Sequence, residues 1–143
     1  MTYEFLEDIA IADVAFRAWG TTLEAIFQSA ADAFLAVSVH NPEAIATQQA
    51  QTFQLQNDEL DMLLFDFIQE LIYYKDTEQL LLKPQRLDLD RQGNHYHLTA
   101  EMRGEILDPN RHDQGVDVKA VTLHQFELRQ TDDGWTATVI LDI

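Results

Sequence analysis

The amino-acid sequence predicts an α+β fold: two helices packed on one face of a largely antiparallel β-sheet, in a single domain over residues 1–143. Candidate segments run strand, helix, strand, helix and then four strands, and strands gathered in this way mark α+β rather than repeated βαβ units. The apolar period also changes from 3.6 to 2 after Asp76-Thr77, so the second half reads as all-β. Finally, 143 residues without an internal repeat or a Pro/Gly/Ser-rich linker fit one domain. A chain of this size buries roughly 68–70% of its unfolded surface, enough for a core held by packing alone.

The first strand is Asp13 to Trp19, with Val14, Phe16 and Ala18 on one face and Asp13, Arg17 and Trp19 on the other. Gly20 breaks it. Thr21 with Glu24 three residues on is a capping-box signature for a helix start. Leu23, Ile26, Phe27, Ala30, Phe34 and Val37 then form one stripe until Asn41-Pro42 ends the helix. Gln48 to Gln56, with Phe53 and Leu55 alternating, reads as a second strand. Asn57 or Asp58 is placed to cap a second helix. Its inward stripe is Leu60, Leu63, Leu64, Phe67, Leu71 and Tyr74, leaving Glu59, Asp66, Gln69, Glu70 and Tyr73 outside. Leu87 and Leu89 alternate before a turn at Gln92-Gly93-Asn94, and Tyr96, Leu98, Ala100, Met102 and Ile106 share a face of the next strand. A polar loop from Asp108-Pro109 to Gly115 follows. Val116, Val118, Ala120, Phe126 and Leu128 resume a strand, Asp132-Asp133-Gly134 turns it, and Trp135 to Ile143 alternates to the last residue.

Charge narrows the function. Nine Lys and Arg against 25 Asp and Glu give a formal charge of −16. Residues 1–74 hold one base, Arg17, against twelve acids. Phosphate affinity comes from Lys and Arg releasing counterions, so the chain is not expected to bind nucleic acid directly. The same field attracts divalent cations or a basic protein surface. With no cysteine there is no thiol nucleophile, and the composition suits a reducing cytoplasm. Met1 to Asp8 carries three acids and no base, the reverse of a signal peptide, and no apolar run is long enough to span a membrane.

No phosphate-binding glycine loop or nucleophile elbow is present. Asp88-x-Asp90-x-x-Gly93 matches the opening of an EF-hand loop, but Thr99 stands where a bidentate Glu is needed. His95 and His97 on a strand face, and Asp66 with Glu70 one helical turn apart, have the spacing for a shared cation, but a solvated face is the favoured reading of both. Asp142 is more pointed: the run Val139-Ile140-Leu141-Asp142-Ile143 is otherwise apolar and holds a side-chain carboxylate beside the α-carboxylate of Ile143. Such oxygens suit Ca²⁺, Mg²⁺ or Mn²⁺. Folding back about Asp132-Asp133-Gly134 brings Lys119 near them. This is either a charge cluster at a hairpin end or an edge strand guarded by Lys and Asp.

At these residues the sequence resembles the archease family. Three blocks carry the resemblance: Ala12-Asp13-Val14 with Arg17-Ala18-Trp19-Gly20; Asp108-Pro109-x-Arg111-His112 with Val118-Lys119-Ala120-Val121-Thr122-x-His124; and Val139 to Ile143. Asp66 through Glu70-Leu71 and Asp76-Thr77-Glu78 also match, so the likeness spans nearly the whole chain. It implies an activator of a GTP-dependent tRNA-splicing RNA ligase, which promotes ligase guanylylation and multiple turnover and is not itself the catalyst. It implies a divalent metal, Ca²⁺ or Mn²⁺, with Asp13, Asp142 and the terminal Ile143 at metal-binding positions and Lys119 as the activating lysine. Ala10-Ile11-Ala12 departs from the family's His-Thr-Ala before the aspartate, and Ala15 replaces its glycine. The alternatives are a stand-alone metal-dependent hydrolase using Asp13 and Asp142, and a general protein-binding or chaperone-like module.

Overall fold

A computed structural model describes residues 2–7 and 13–143. Its elements are β1 (Tyr3–Phe5), β2 (Asp13–Gly20), α1 (Leu23–Ser38), β3 (Gln49–Asn57), α2 (Leu60–Glu78), β4 (Leu80–Gln92), β5 (His95–Ile106), β6 (Ala120–Thr131) and β7 (Gly134–Asp142). The expected α+β arrangement is present, with every strand pairing antiparallel. The strands divide into two sheets, ordered β1-β2-β7-β6 and β3-β5-β4. Helix α1 packs on β1, β2 and β7 of the first sheet and on β4 of the second, while α2 packs on β6 and on β3, β4 and β5. The helix pair is therefore common to both sheets. This explains why α1 buries residues almost all round, from Ile26 and Phe27 to Leu35 and Val37. A helix clad on two sides has no wide polar face.

Local chemistry sets the boundaries, with some differences from expectation. Helix α1 is capped by Thr22, not Thr21: the Thr22 hydroxyl accepts from the Ala25 N–H at 3.1 Å, so Glu24 has no reciprocal role. Helix α2 starts after Glu59, whose side chain makes no cap bond; Asn57 Oδ1 instead accepts from the Glu59 N–H at 3.0 Å. Gln92 and His95 close a two-residue turn in which Gly93 has φ 64°, a conformation a side chain disfavours. Gly104 is required for another reason. A Cβ there would lie 1.7 Å from the Leu81 carbonyl oxygen of the neighbouring strand. Residues 116–119 are not strand, and β6 carries an irregularity between Thr122 and Glu127 that includes Gln125 at φ 53°. Ile106, expected inside, is 50% exposed, and Glu105 beside it is buried.

The core centres on the helix pair. Phe27 and Phe67 meet at 5.4 Å between ring centroids, Phe53 of β3 stacks on Tyr74, and Phe65 meets Phe126 of β6 edge-on. These tilted and edge contacts are the favoured aromatic geometries. Phe16, Leu98, Val139 and Leu141 complete the core from the sheets. No helix among the described residues is long and apolar enough to cross a membrane.

Candidate functional site

The first sheet brings together residues from distant parts of the chain. Asp13 of β2 is the direct cross-strand partner of Asp142 of β7, and Asp142 in turn is opposite Ala120 of β6. Residues directly opposite in an antiparallel pair put their Cβ atoms about 4.5–5.5 Å apart on one face, where like charges destabilise the pairing. Asp13 and Asp142 are such a pair, and the methyl group of Ala120 leaves the third place in the row small. Asp13 is half-buried and Asp142 exposed. The Lys119 N–H donates to the Asp142 carbonyl at 2.8 Å, tying that lysine to the end of the same row. Its side chain is exposed and has no ion-pair partner among the described residues. β7 lies between β2 and β6, so Asp142 is not guarding a sheet edge. Lys119, by contrast, directly precedes β6, which is an edge of that sheet.

Two adjacent acids at the end of a row are a fit for a hard divalent cation, which would remove their repulsion and take oxygen ligands. No three His, Asp or Glu side chains converge among the described residues. The row supplies two side-chain carboxylates, those of Asp13 and Asp142. A groove of about 400 Å³ beside Asp13 runs along Val14 and Ala15 to Val37, His40 and Val116. The departures from the family at Ala10 and Ile11 lie outside the described residues, and the third, Ala15, is buried in β2 opposite Ile140.

The segment that ends in Lys119 is pinned by a group the sequence did not single out. Glu105 is buried, and its Oε1 accepts from the Ala46 N–H at 2.8 Å and from His112 Nε2 at 2.7 Å, while Oε2 accepts from Arg111 at 2.5 Å. His112 Nδ1 accepts from the Asp108 N–H at 2.8 Å, so the proton of this imidazole sits on Nε2. The Ala46 N–H, and then His112 and Arg111, hold the Glu105 carboxyl below the usual carboxylate range although burial opposes them. Past this anchor the chain is laced to the end of α1: the Gly115 N–H donates to Ser38 O and the Val116 N–H to Val37 O. Arg111 and His112 belong to the block that carries the family resemblance. Glu105 left only the signal of an acid next to the apolar face of β5.

Other candidates stay apart from this site. Asp88 pairs with Arg86 along β4 rather than lining a calcium loop. His97 Nε2 lies 3.2 Å from Gln54 Oε1, so that amide oxygen takes one of its ring nitrogens. Asp66 accepts from Asn57 at 3.0 Å, and burial, followed by the charge of Asp66, pushes the Glu70 carboxyl up. Asp32, Lys83 and Tyr3 line a separate cavity of about 430 Å³ beside α1, where burial raises Asp32 against the pull of Gln28 and Lys83.

The match to known proteins covers the same extent as these contacts. Residues 3–143 match the model of the Archease protein family (MTH1598/TM1083). The chain belongs to the archease family. It is 34% identical over 142 residues to Protein archease of Methanosarcina barkeri, covering 99% of this chain and 95% of that one. It is 36% identical over 134 residues to Protein archease of Pyrobaculum calidifontis, covering 92% and 90%. The solution structure of Methanobacterium thermoautotrophicum protein 1598 superposes with a TM-score of 0.86 at 31% identity over 99% of both chains. The crystal structure of an archease, possible chaperone, from Thermotoga maritima shares the fold at a TM-score of 0.63 and 20% identity, covering 94% and 93%. Archease membership carries the coarse role of an accessory protein.

Proposed function

We propose that this archease activates a GTP-dependent tRNA-splicing RNA ligase, promoting guanylylation of the ligase and its multiple turnover, without being a catalyst itself. The observation that carries the reading is the pairing of Asp13 with Asp142 while the Lys119 N–H is bonded to the Asp142 carbonyl. Asp13, Asp142 and the terminal carboxylate of Ile143 would hold a divalent cation, Ca²⁺ or Mn²⁺, which when bound neutralises the row. Lys119, extended from a backbone fixed at one end of the row, offers a mobile ammonium to nucleotide phosphates or to a ligase carboxylate. A charge of −16 draws the protein to a basic ligase and away from free RNA, in keeping with a partner that is a protein in the cytoplasm.

The test is multiple-turnover joining of a 3′-phosphate RNA to a 5′-hydroxyl RNA by the ligase with GTP and Mn²⁺. Wild type accelerates turnover, and Lys119→Ala and Asp142→Ala do not, while both variants keep the wild-type circular dichroism spectrum. Full stimulation by both variants would remove the site; no stimulation by wild type would remove the function.

A further inference from the structure

The two sheets have four edges: β1 and β6 in the first, β3 and β4 in the second. Exposed edges invite another strand, and natural proteins defend them with shortness, charge, proline, bulges or cover. Three of these edges are defended. β1 has only three residues. β4 carries Pro84 at a register shift, together with Lys83, Arg86, Asp88, Asp90 and Arg91. β6 is interrupted after Thr122, packs Phe126 on Phe65 of α2, and has the Gln69 side chain of α2 within 3.5 Å of the Val121 N–H.

β3 has none of these devices. It is nine residues long, QAQTFQLQN, without a charge, a proline or a register shift against β5. Alternate residues of an edge strand turn their N–H and C=O away from the sheet. Among the described residues, none outside β5 hydrogen-bonds to the β3 backbone.

What borders this edge identifies the occupant. Helix α2 lies over β3 through Asp66, bonded to Asn57, and through Phe67 and Tyr74, both against Phe53. Glu70 stands one turn from both Asp66 and Tyr74, on the same stripe. Asp66 and Glu70 are half-buried neighbours of like charge, and no described Lys, Arg or His forms an ion pair with either. The nearest basic residue along α2, Lys75, is engaged by Asp76 and Asp117. We propose that the free edge of β3 docks an extended, lysine- or arginine-bearing segment of a partner protein, which joins the β3-β5-β4 sheet as a fourth strand beside Asp66 and Glu70. Backbone pairing supplies affinity in this mode, and side chains at alternate positions supply selection. A second copy of this chain fits the edge poorly, because it would bring another Asp66 and Glu70 to the seam. The site is on the second sheet and does not depend on the Asp13–Asp142 row.

The probe is a seven-residue peptide alternating lysine with threonine and valine, titrated into the full chain and followed by amide shifts and hydrogen exchange. The amides of Gln49–Asn57 shift, and exchange slows at least about tenfold, the factor that about 1.4 kcal/mol of protection gives. A peptide N-methylated at every backbone nitrogen, which blocks both of its edges, and one with glutamate for lysine, leave β3 unprotected. The double variant Asp66→Asn, Glu70→Gln binds the lysine peptide about fivefold more weakly, as the loss of two partly exposed ion pairs requires. Three results would each overturn the proposal: no β3 response at millimolar peptide, equal binding of the N-methylated peptide, or concentration-dependent β3 protection in the protein alone. The last would make a second copy the occupant.

Discussion

Replacing Glu105 by glutamine asks whether the segment leading to Lys119 is held by a charge. Three donors converge on this carboxylate: two, from Ala46 and His112, share Oε1, and Arg111 takes Oε2. The amide oxygen of glutamine can keep the first two, but as bonds to a neutral acceptor. Bonds to a charged group contribute about 1.5–3 kcal/mol and neutral ones about 0.5–1.5, so each loses about 1 kcal/mol. The amide nitrogen then faces Arg111 donor to donor; that side chain is 47% exposed and turns to water, at a cost of no more than about 1 kcal/mol. The sum is a loss of about 2–3 kcal/mol at pH 7, or about 6–9 °C in Tm for a chain of this length. Because the folded-state pKa is depressed, wild type has this stabilisation in full above the ordinary carboxylate value and loses it as pH falls through the folded value. The gap between Glu105→Gln and wild type should therefore be full at pH 7 and close below the ordinary carboxylate range. Urea unfolding at pH 7 and at acid pH measures both. A variant within about 0.5 kcal/mol of wild type at pH 7 would refute the anchor, and a gap unchanged into acid would refute its dependence on charge.

Two further outcomes are expected. Ca²⁺ or Mn²⁺ at one hundred times its dissociation constant should stabilise the wild-type fold by about 2.7 kcal/mol. Asp13→Asn or Asp142→Asn should abolish that response in thermal melts with and without chelator, and a wild type indifferent to both ions would contradict the fit. Gly104→Ala drives a methyl group into the Leu81 carbonyl, where only backbone movement relieves the clash. It should cost more than about 4 kcal/mol or leave no folded protein, and an alanine variant with wild-type urea stability would show that the strands separate easily.

Much of this fold was legible because period and turn chemistry are local. The stripe of α2, the Gly93 turn and the strand of β7 stand in the sequence as the structure has them, whereas α1 buries Ala31, Ala33 and Leu35 beyond its one expected stripe. What was not legible depended on cladding. Nothing in a strand's own residues says that β3, β5 and β4 form a separate sheet, since that division follows from helices that accept sheets on two sides. Thr21 and Thr22 are equivalent as letters; only the turn after Gly20 decides which hydroxyl reaches the Ala25 N–H. Lys119 and Asp142 could be placed together through one hairpin, whereas the approach of Asp13 needs the β2–β7 register. Glu105 was unreadable because its partners Ala46, Arg111 and His112 come from segments that meet only after folding.

The strand orders also imply a sequence of events during synthesis. β3, β4 and β5 leave the ribosome close together, with α2 between them, and their sheet needs nothing made later. The other sheet is different: β2 must wait for β7, the last of the described strands in chain order, before its long edge is closed. Pairing across so much chain is slow and exposes unpaired strand meanwhile. A nascent form with the second sheet built and β2 paired only with the three residues of β1 thus leaves a long strand edge open to aggregation, and stalling or truncation ahead of β7 would trap it there.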